Sequence, residues 1–302
     1  MRIGIDIGGT KVEVAALDSG GGIRLRRRAP TPPRDYDGLI ATVRALVEGV
    51  EAELGRRATI GVAIPGAFSP ATGLVKNANS TCLIGRAFDR DLSAALGRPL
   101  RFANDANCFA LSEATDGAGQ GAAVVFGAIL GTGVGGGIVV AGRLLTGPNA
   151  IGGEWGHSPL PWPRDEERPG PLCYCGQRGC IESFLSGPAM ANDHRQATGE
   201  EAEASAIAAR AAAGDAAARD TVARYVDRLA RGLATVINLL DPDAIVLGGG
   251  LGQIAALYDA VPKIWGRYVF SDTVATKLAP PRWGDSSGVR GAAWLWPPDA
   301  TP

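Results

Sequence analysis

The stretch AAVVFGAILGTGVGGGIVVAG, residues 122–142, carries no charge from end to end and admits three readings. Its length suits a membrane span. Its centre, GTGVGGG at 131–137, contains the G-x-G-x-x-G of a dinucleotide fold. Its two apolar runs, on either side of a glycine turn, suit a hairpin. The first reading fails because the glycines divide the stretch into two runs too short to cross a bilayer. The second fails because the fingerprint needs a helix after the glycines, and IVVAGRLL looks like another strand. A strand, a glycine turn and a strand remain.

The same theme opens the chain: RIGIDIG, then GTK, then VEVAALD, whose alternation suits a half-buried antiparallel strand. Two hairpins with Gly-Thr turns, one near each half's start, point to a duplicated α/β lobe with a cleft between the halves. The pattern predicts further strands at IRLRRRA, TIGVAIPG and DPDAIVLGGG. It predicts helices over Gly38–Leu54, Ala202–Ala213, Ala216–Leu240 and Gln253–Tyr268. PLRFANDANCFALSEA reads as a short strand, a polar turn and a helix. Residues 147–170 form a proline-rich loop, and VRGAAWLW closes the chain as a helix. The expected division is residues 1–118 plus 286–302 as one lobe, with the last helix packing back on it. Residues 119–285 form the other.

Composition narrows the function. A chain of 302 residues buries a core without staples. A formal charge of -1 gives no basic field for nucleic acid or an anionic membrane, so neither is an expected partner. MRIGIDIGGT enters a strand at once, without the charged and apolar regions of a secretory leader, so the expected location is the cytoplasm. Disulfides are rare there, and clustered cysteines lean towards metal or catalysis.

Three glycine turns end strands. In DIGGTK, Gly8 and Gly9 let backbone N–H groups approach a phosphate, Thr10 and Lys11 add donors, and Asp6 suits a magnesium ion held through water. The alternative is a plain tight turn. Thr132, Gly133, Gly135 and Gly136 in the second hairpin, and Gly248 and Gly249 in LGGG, offer two more close-approach surfaces. Together they suit a nucleotide, ATP, held in the cleft. NDAN at 104–107 places Asp105 ahead of a helix. From the residues alone it reads first as an N-cap, and secondly as a carboxylate positioned to take a proton.

LCYCGQRGC, residues 172–180, brings three cysteines into one turn. A staple, a redox pair, an inert turn and a metal site are all open. Structural zinc wants four ligands, and His157 upstream completes a set with Cys173, Cys175 and Cys180. Cys82 and Cys108 read as small buried hydrophobes, and His194 as a surface residue. GDSSG at 284–288 matches the nucleophile-elbow pattern but lacks a preceding strand, and reads as the turn into the last helix.

IGIDIGGTK, GVAIPG, NDANCFALSEA, ILGTGVGGGIV, GGEWGH, CYCGQRGCIE and DPDAIVLGGG, in that order, resemble the ROK family of the actin-like ATP-binding superfamily. The resemblance implies a two-lobed actin-like (ribonuclease H-like) α/β fold with the active site between the lobes. It implies sugar and phosphate binding by the first lobe, and nucleotide binding and the zinc loop in the second. ATP, magnesium, a structural zinc, a hexose acceptor and a homodimer are also implied. It makes Asp105 the general base. It places Asn79, Asn104, Glu154, His157 and Glu182 on the sugar, with His157 also a zinc ligand. TPPRDYDG, GLVKNANST, AFDRDLS, GDSSGVRGAAWLWP and the long His157–Cys173 spacer with its RDEER run (164–168) resemble the family's bacterial fructokinases most. The expected reaction is therefore ATP-dependent phosphorylation of the 6-hydroxyl of D-fructose. N-acetylglucosamine, glucose or mannose kinase is the alternative. A sugar-sensing regulator without turnover is the rival outside enzymes; its DNA-binding module is not among these residues.

Overall fold

Ile3, Ile5 and Ile7 alternate with Gly4 and Asp6 along β1 (Arg2–Ile7), and the alternation sorts the two faces of a sheet. The computed structural model describes residues 1–302 apart from residues 79, 298 and 299, and only the backbone of residue 285. The chain divides into two units. The first comprises Met1–Gln120, Gly137–Gly152 and Asp285–Pro302; the second comprises Gly121–Gly136 and Gly153–Gly284.

In the first unit β1 pairs antiparallel with β2 (Lys11–Leu17), and β2 antiparallel with β3 (Ile23–Pro30). Helix α1 (Tyr36–Leu54) starts on Asp35, whose carboxylate accepts from Gly38 N–H, and stops at Gly55 in the left-handed region. Its buried stripe, Leu39, Val43, Val47 and Val50, covers the isoleucines of β1. β4 (Thr59–Ile64) joins β1 in parallel. A short hairpin of β5 (Ala67–Phe68) and β6 (Val75–Lys76) follows, then α2 (Phe88–Leu96), then β7 (Arg101–Asn104) parallel to β4. Helix α3 (Asp105–Asp116) begins at the residue after β7, so the polar turn expected at NDAN is absent.

The chain continues into β8 (Val124–Leu130), β9 (Val134–Val140) and β10 (Arg143–Leu144). Then come α4 (Glu182–Leu185), α5 (Gly187–Thr198), α6 (Ala204–Ala212) and α7 (Ala216–Leu240). β11 (Ala244–Gly248), α8 (Ala256–Ala260), α9 (Pro262–Trp265), β12 (Lys277–Ala279) and α10 (Ser287–Trp294) complete it. The two sheets share one plan: β3-β2-β1-β4-β7 in the first and β10-β9-β8-β11-β12 in the second. Each has its hairpin on one side and strands parallel to the hairpin's first strand on the other. That is the duplication the two glycine turns signal.

Four expectations need correction. The segment 137–152, placed in the second lobe from sequence, groups with the first unit. There Gly137 packs on α3, where a Cβ would sit 2.6 Å from Ala106 O, and Lys76 Nζ donates to Asn149 O. The single helix expected over 253–268 is two short ones, because Pro262 has no N–H to continue the ladder. His194 is buried on α5, its Nδ1 at 2.9 Å from Thr221 Oγ1 of α7, rather than on the surface. Helices α2, α4 and α5 were not foreseen. The signals were present for α2 in Phe88, Leu92 and Leu96, and for α5 in the Ser186 cap and Gly199.

The last helix explains two glycines. Gly4 of β1 and Gly61 of β4 meet α10 backbone to backbone, and a Cβ at either would lie 1.8 Å from Val289 O or Ala292 O. Helix α10 also buries Val289 and Ala293 against Ala15 and Leu17, closing the sheet face opposite α1. GDSSG is the short turn that leads into it.

Candidate active site

The first unit gathers its candidate residues at the ends of β1 and β7. The β1–β2 turn closes through Gly8 N–H on Lys11 O at 2.9 Å, and Thr31 Oγ1 donates to Gly8 O at 2.7 Å. A Cβ on Gly9 would meet nothing within 4 Å, so the fold leaves open space there. Lys11 Nζ lies 3.9 Å from Glu13. Burial, then the charges of Asp105 and Glu13, push the Asp6 carboxyl up to about 7, with Lys11 opposing. A divalent cation would relieve that desolvated charge, and hard carboxylate oxygens suit magnesium.

Asn104, not Asp105, caps α3. Its Oδ1 accepts from Ala106 N–H at 2.9 Å, and its Nδ2 donates to Gly66 O at 3.1 Å. Asp105 is the first helical residue, and its Oδ1 also accepts from Ala106 N–H at 2.8 Å. The bland reading of Asp105 as the cap is thus taken by its neighbour, which also spends the Asn104 carbonyl on the helix. Asn79 lies outside the described residues.

The second unit holds the rest. Glu182, at the start of α4, docks on the second glycine turn: its Oε2 accepts from Val134 N–H at 2.8 Å. A Cβ on Gly133 would lie 2.8 Å from the same oxygen. Gly187 N–H donates to Gly131 O, fixing the start of α5 to the same turn. Gly135 and Gly136 serve packing instead: Gly135 O accepts from Trp155 Nε1, and Gly136 faces Gly153 O, Trp155 and Phe126. Gly248 is buried in β11, and Gly249 takes a positive φ against Leu130 O.

A cavity of about 1280 Å³ opens beside this turn, with Gly131, Thr132 and Gly250 among its lining residues. Ala204, Val222 and Ile254 are among its apolar walls. A largely apolar cavity beside a glycine turn is what a nucleotide base and its phosphates need. Of the nucleotide residues expected in this unit, Thr132 lines it; Gly133, Gly135, Gly136, Gly248 and Gly249 do not. The walls from α6 and α7 were not read from sequence, since runs of alanine look like ordinary helix.

His157, Cys173, Cys175 and Cys180 converge, with their ligand atoms all within 4.8 Å of one another. Cys175 Sγ lies 3.6 Å from Cys180 Sγ, and Cys173 Sγ lies 3.6 Å from His157 Nδ1. A tetrahedral Zn–S length of about 2.3 Å implies ligand separations near ~3.8 Å, so the four donors fit zinc. Burial, then the neighbouring Cys175 and Cys173, push the Cys180 thiol up to about 12; burial also raises Cys173. The N–H of Gln177 draws Cys175 down. Such desolvated sulfurs become thiolates together only around a cation.

Two residues were missed from sequence. Tyr174, between the first two cysteines and 81% exposed, sets its hydroxyl 2.9 Å from His157 Nε2, with the rings edge to face at 5.1 Å. Glu167, in the RDEER run, is buried, and it receives Arg231 Nη1 at 2.9 Å and Arg231 Nη2 at 2.7 Å. Arg228 Nε at 2.8 Å and the N–H of Arg164 complete its shell. Burial alone would raise its carboxyl, but these bonds outweigh it and hold the pKa near about 2. The spacer is thus clamped on α7. Its far end meets the cysteine turn at Gly170, where a Cβ would lie 2.5 Å from Gly179 Cα.

Among the described residues, no helix is long and apolar enough to cross a membrane. The chain matches the ROK family over residues 2–298. It is 38% identical to an N-acetyl-D-glucosamine kinase of Photobacterium profundum, over 98% of this chain and 99% of that protein. It superposes on a ROK hexokinase from Thermus thermophilus with a TM-score of 0.86 at 31% identity, covering 97% of this chain and 96% of that one. A ROK family glucokinase from Streptomyces griseus, in complex with glucose and AMPPNP, superposes with a TM-score of 0.78 at 29% identity, covering 97% and 98%.

Proposed function

The chain belongs to the ROK family, with the two-lobed actin-like ATPase fold, and is one of its sugar kinases; we propose that it moves the γ-phosphoryl group of ATP to the 6-hydroxyl of a hexose, with Asp105 as general base. The observation that carries the reading is local. Asn104 takes the helix cap, which leaves Asp105 at the first helical position beside Asp6, whose raised carboxyl marks a place that wants a cation.

The sugar 6-hydroxyl gives its proton to the Asp105 carboxylate as its oxygen attacks the γ-phosphorus. The bond from that phosphorus to the β,γ-bridging oxygen breaks, and ADP leaves. Asp6 would hold magnesium, which supplies charge neutralisation on the phosphates. Gly9, Thr10 and Lys11 offer phosphate donors in the first unit, while the Gly8 N–H is spent on closing the turn. Thr132 does so in the second, with the base in the alanine-lined cavity; the Gly131 N–H is spent on Gly133 O. Positioning by these groups supplies most of the acceleration. Glu154, Glu182 and the His157 region are the sugar contacts. The zinc that His157, Cys173, Cys175 and Cys180 would hold keeps that loop in shape.

The comparisons favour the alternative over the fructose expected from sequence. The N-acetyl-D-glucosamine kinase matches over nearly the whole chain, so N-acetyl-D-glucosamine is the first acceptor to test. D-fructose stays as the second reading on one observation, the long spacer docked by Glu167, whose length resembles the family's fructokinases. The deciding experiment is ADP release with ATP and magnesium against N-acetyl-D-glucosamine, fructose, mannose and glucose, ranked by kcat/KM. The highest value for N-acetyl-D-glucosamine supports the first reading, and for fructose the second. Sugar binding without turnover overturns the kinase reading in favour of a regulator.

A further inference from the structure

We propose that Arg231 is a positioning residue for the metal centre: its guanidinium, buried on α7, holds both arms of the loop between His157 and Cys173, and so sets the four donors at metal spacing before a metal binds. The inference deepens the proposed function and rests on zinc in the four-donor site. The loop leaves from one ligand and returns to another, so the spacing of the set depends on how the loop is held. Its first arm runs beside the third cysteine: Leu160 N–H donates to Gly179 O at 2.8 Å, and Ile181 N–H donates to Ser158 O at 2.8 Å. These two bonds flank Cys180. Its second arm returns to the same turn, where Gly170 packs on Gly179 and Gly179 N–H donates to Pro171 O at 2.9 Å.

One side chain grips both arms. Arg231 is 1% exposed. On the first arm its Nη1 donates to Trp162 O at 2.8 Å, with Pro161 O at 3.2 Å. On the second arm Nη1 and Nη2 take the Glu167 carboxylate at 2.9 and 2.7 Å. Nε donates to Asp227 Oδ2, one turn earlier on α7, at 3.1 Å, which fixes the guanidinium on its own helix. Trp162 has a φ of +45°, a conformation that a side-chain-bearing residue keeps only where its surroundings impose it. The grip on its carbonyl is such a constraint. A planar fork reaches the carboxylate and the carbonyls together, and a lysine ammonium does not reproduce that geometry. Donors held in advance lose less freedom when a metal arrives, which tightens its binding. Helix α7 also lines the cavity through Val222 and Val226, so one helix registers the metal loop and the cavity wall.

The test is Arg231→Lys, with Arg231→Met as a second variant that also removes the charge. The Lys variant keeps a cation beside Glu167 and Asp227, so the test survives if the Met variant does not fold. Arg98→Lys is the control: Arg98 is likewise buried on a bidentate carboxylate, Glu51, but in the other unit. Zinc Kd by chelator competition and the rate of zinc loss to that chelator are measured on folded protein, alongside thermal melting. Arg231→Lys is expected to raise the zinc Kd roughly 10-fold and Arg231→Met up to roughly 100-fold, with zinc loss faster in the same order. Arg98→Lys should melt earlier and keep wild-type zinc affinity. Arg231 variants that bind zinc as the wild type does, or an Arg98 variant weakened equally, overturn the positioning role and leave the zinc site standing. A wild type that binds no zinc overturns this inference together with the zinc reading.

Discussion

A methyl group placed on Gly288 of α10 would lie 2.6 Å from Asp6 Oδ2 of β1. The carboxylate is thus pressed against the last helix, and the absence of a side chain there gives it room. Gly288→Ala is expected to displace Asp6 and lower kcat roughly 10- to 100-fold, since small misplacements of a charged group are costly. Circular dichroism should show the fold unchanged. A variant with normal kcat would mean that Asp6 tolerates movement, and that its position is not tuned for catalysis.

Asp105→Asn keeps the shape and the hydrogen bond to Ala106 N–H but cannot take a proton. The expected loss in kcat is about 10²–10⁴-fold, with hexose Kd within a few-fold of wild type. Steady-state kinetics and calorimetry on the same preparation separate the two. A near-normal rate would remove Asp105 as the base.

Purified protein should carry about one zinc per chain by elemental analysis. Cys180→Ser removes one of four donors from a buried position and should lower zinc content, melting temperature and hexose affinity together. An unchanged hexose KM after zinc loss would separate the cysteine turn from the sugar contacts.

Glu167 supplies the pH dependence. Its carboxyl falls from an ordinary 4.5 to about 2 on folding, so its contribution is complete above about 4.5 and disappears as pH falls towards 2. Glu167→Gln is expected to cost about 3 kcal/mol at pH 7, at the low end for a broken buried pair because Asp227 still faces Arg231. The gap between wild type and variant, read from denaturant unfolding, should narrow between pH 5 and pH 2. A gap independent of pH would mean that packing, not charge, anchors the spacer.

The glycine turns carried most of what the sequence discloses. RIGIDIG and VVFGAILGTG specify hairpins locally, through alternation and turn chemistry, so the duplicated sheet could be read. The four metal donors were readable because ligand type and spacing are local as well. Features made by residues far apart were not. Gly4 and Gly61 look like strand breakers until the last helix is laid on them. Glu167 looks like a solvated charge until Arg228 and Arg231 arrive from α7. Tyr174 shows no signal by type, since its meaning comes from the one nitrogen it touches. The segment 137–152 changed units because Gly137 packs on α3, a contact that strand periodicity cannot register.

The bond from Ser287 Oγ to Glu113 Oε1 spans 174 residues, and α10 supplies one face of a sheet whose first strand begins at residue 2. During synthesis β1, β2 and β4 leave the ribosome long before the helix that covers them. The first unit to be translated is therefore the last to be finished, and its apolar face waits uncovered while the second unit is made. Stalled or prematurely terminated chains would leave that face uncovered.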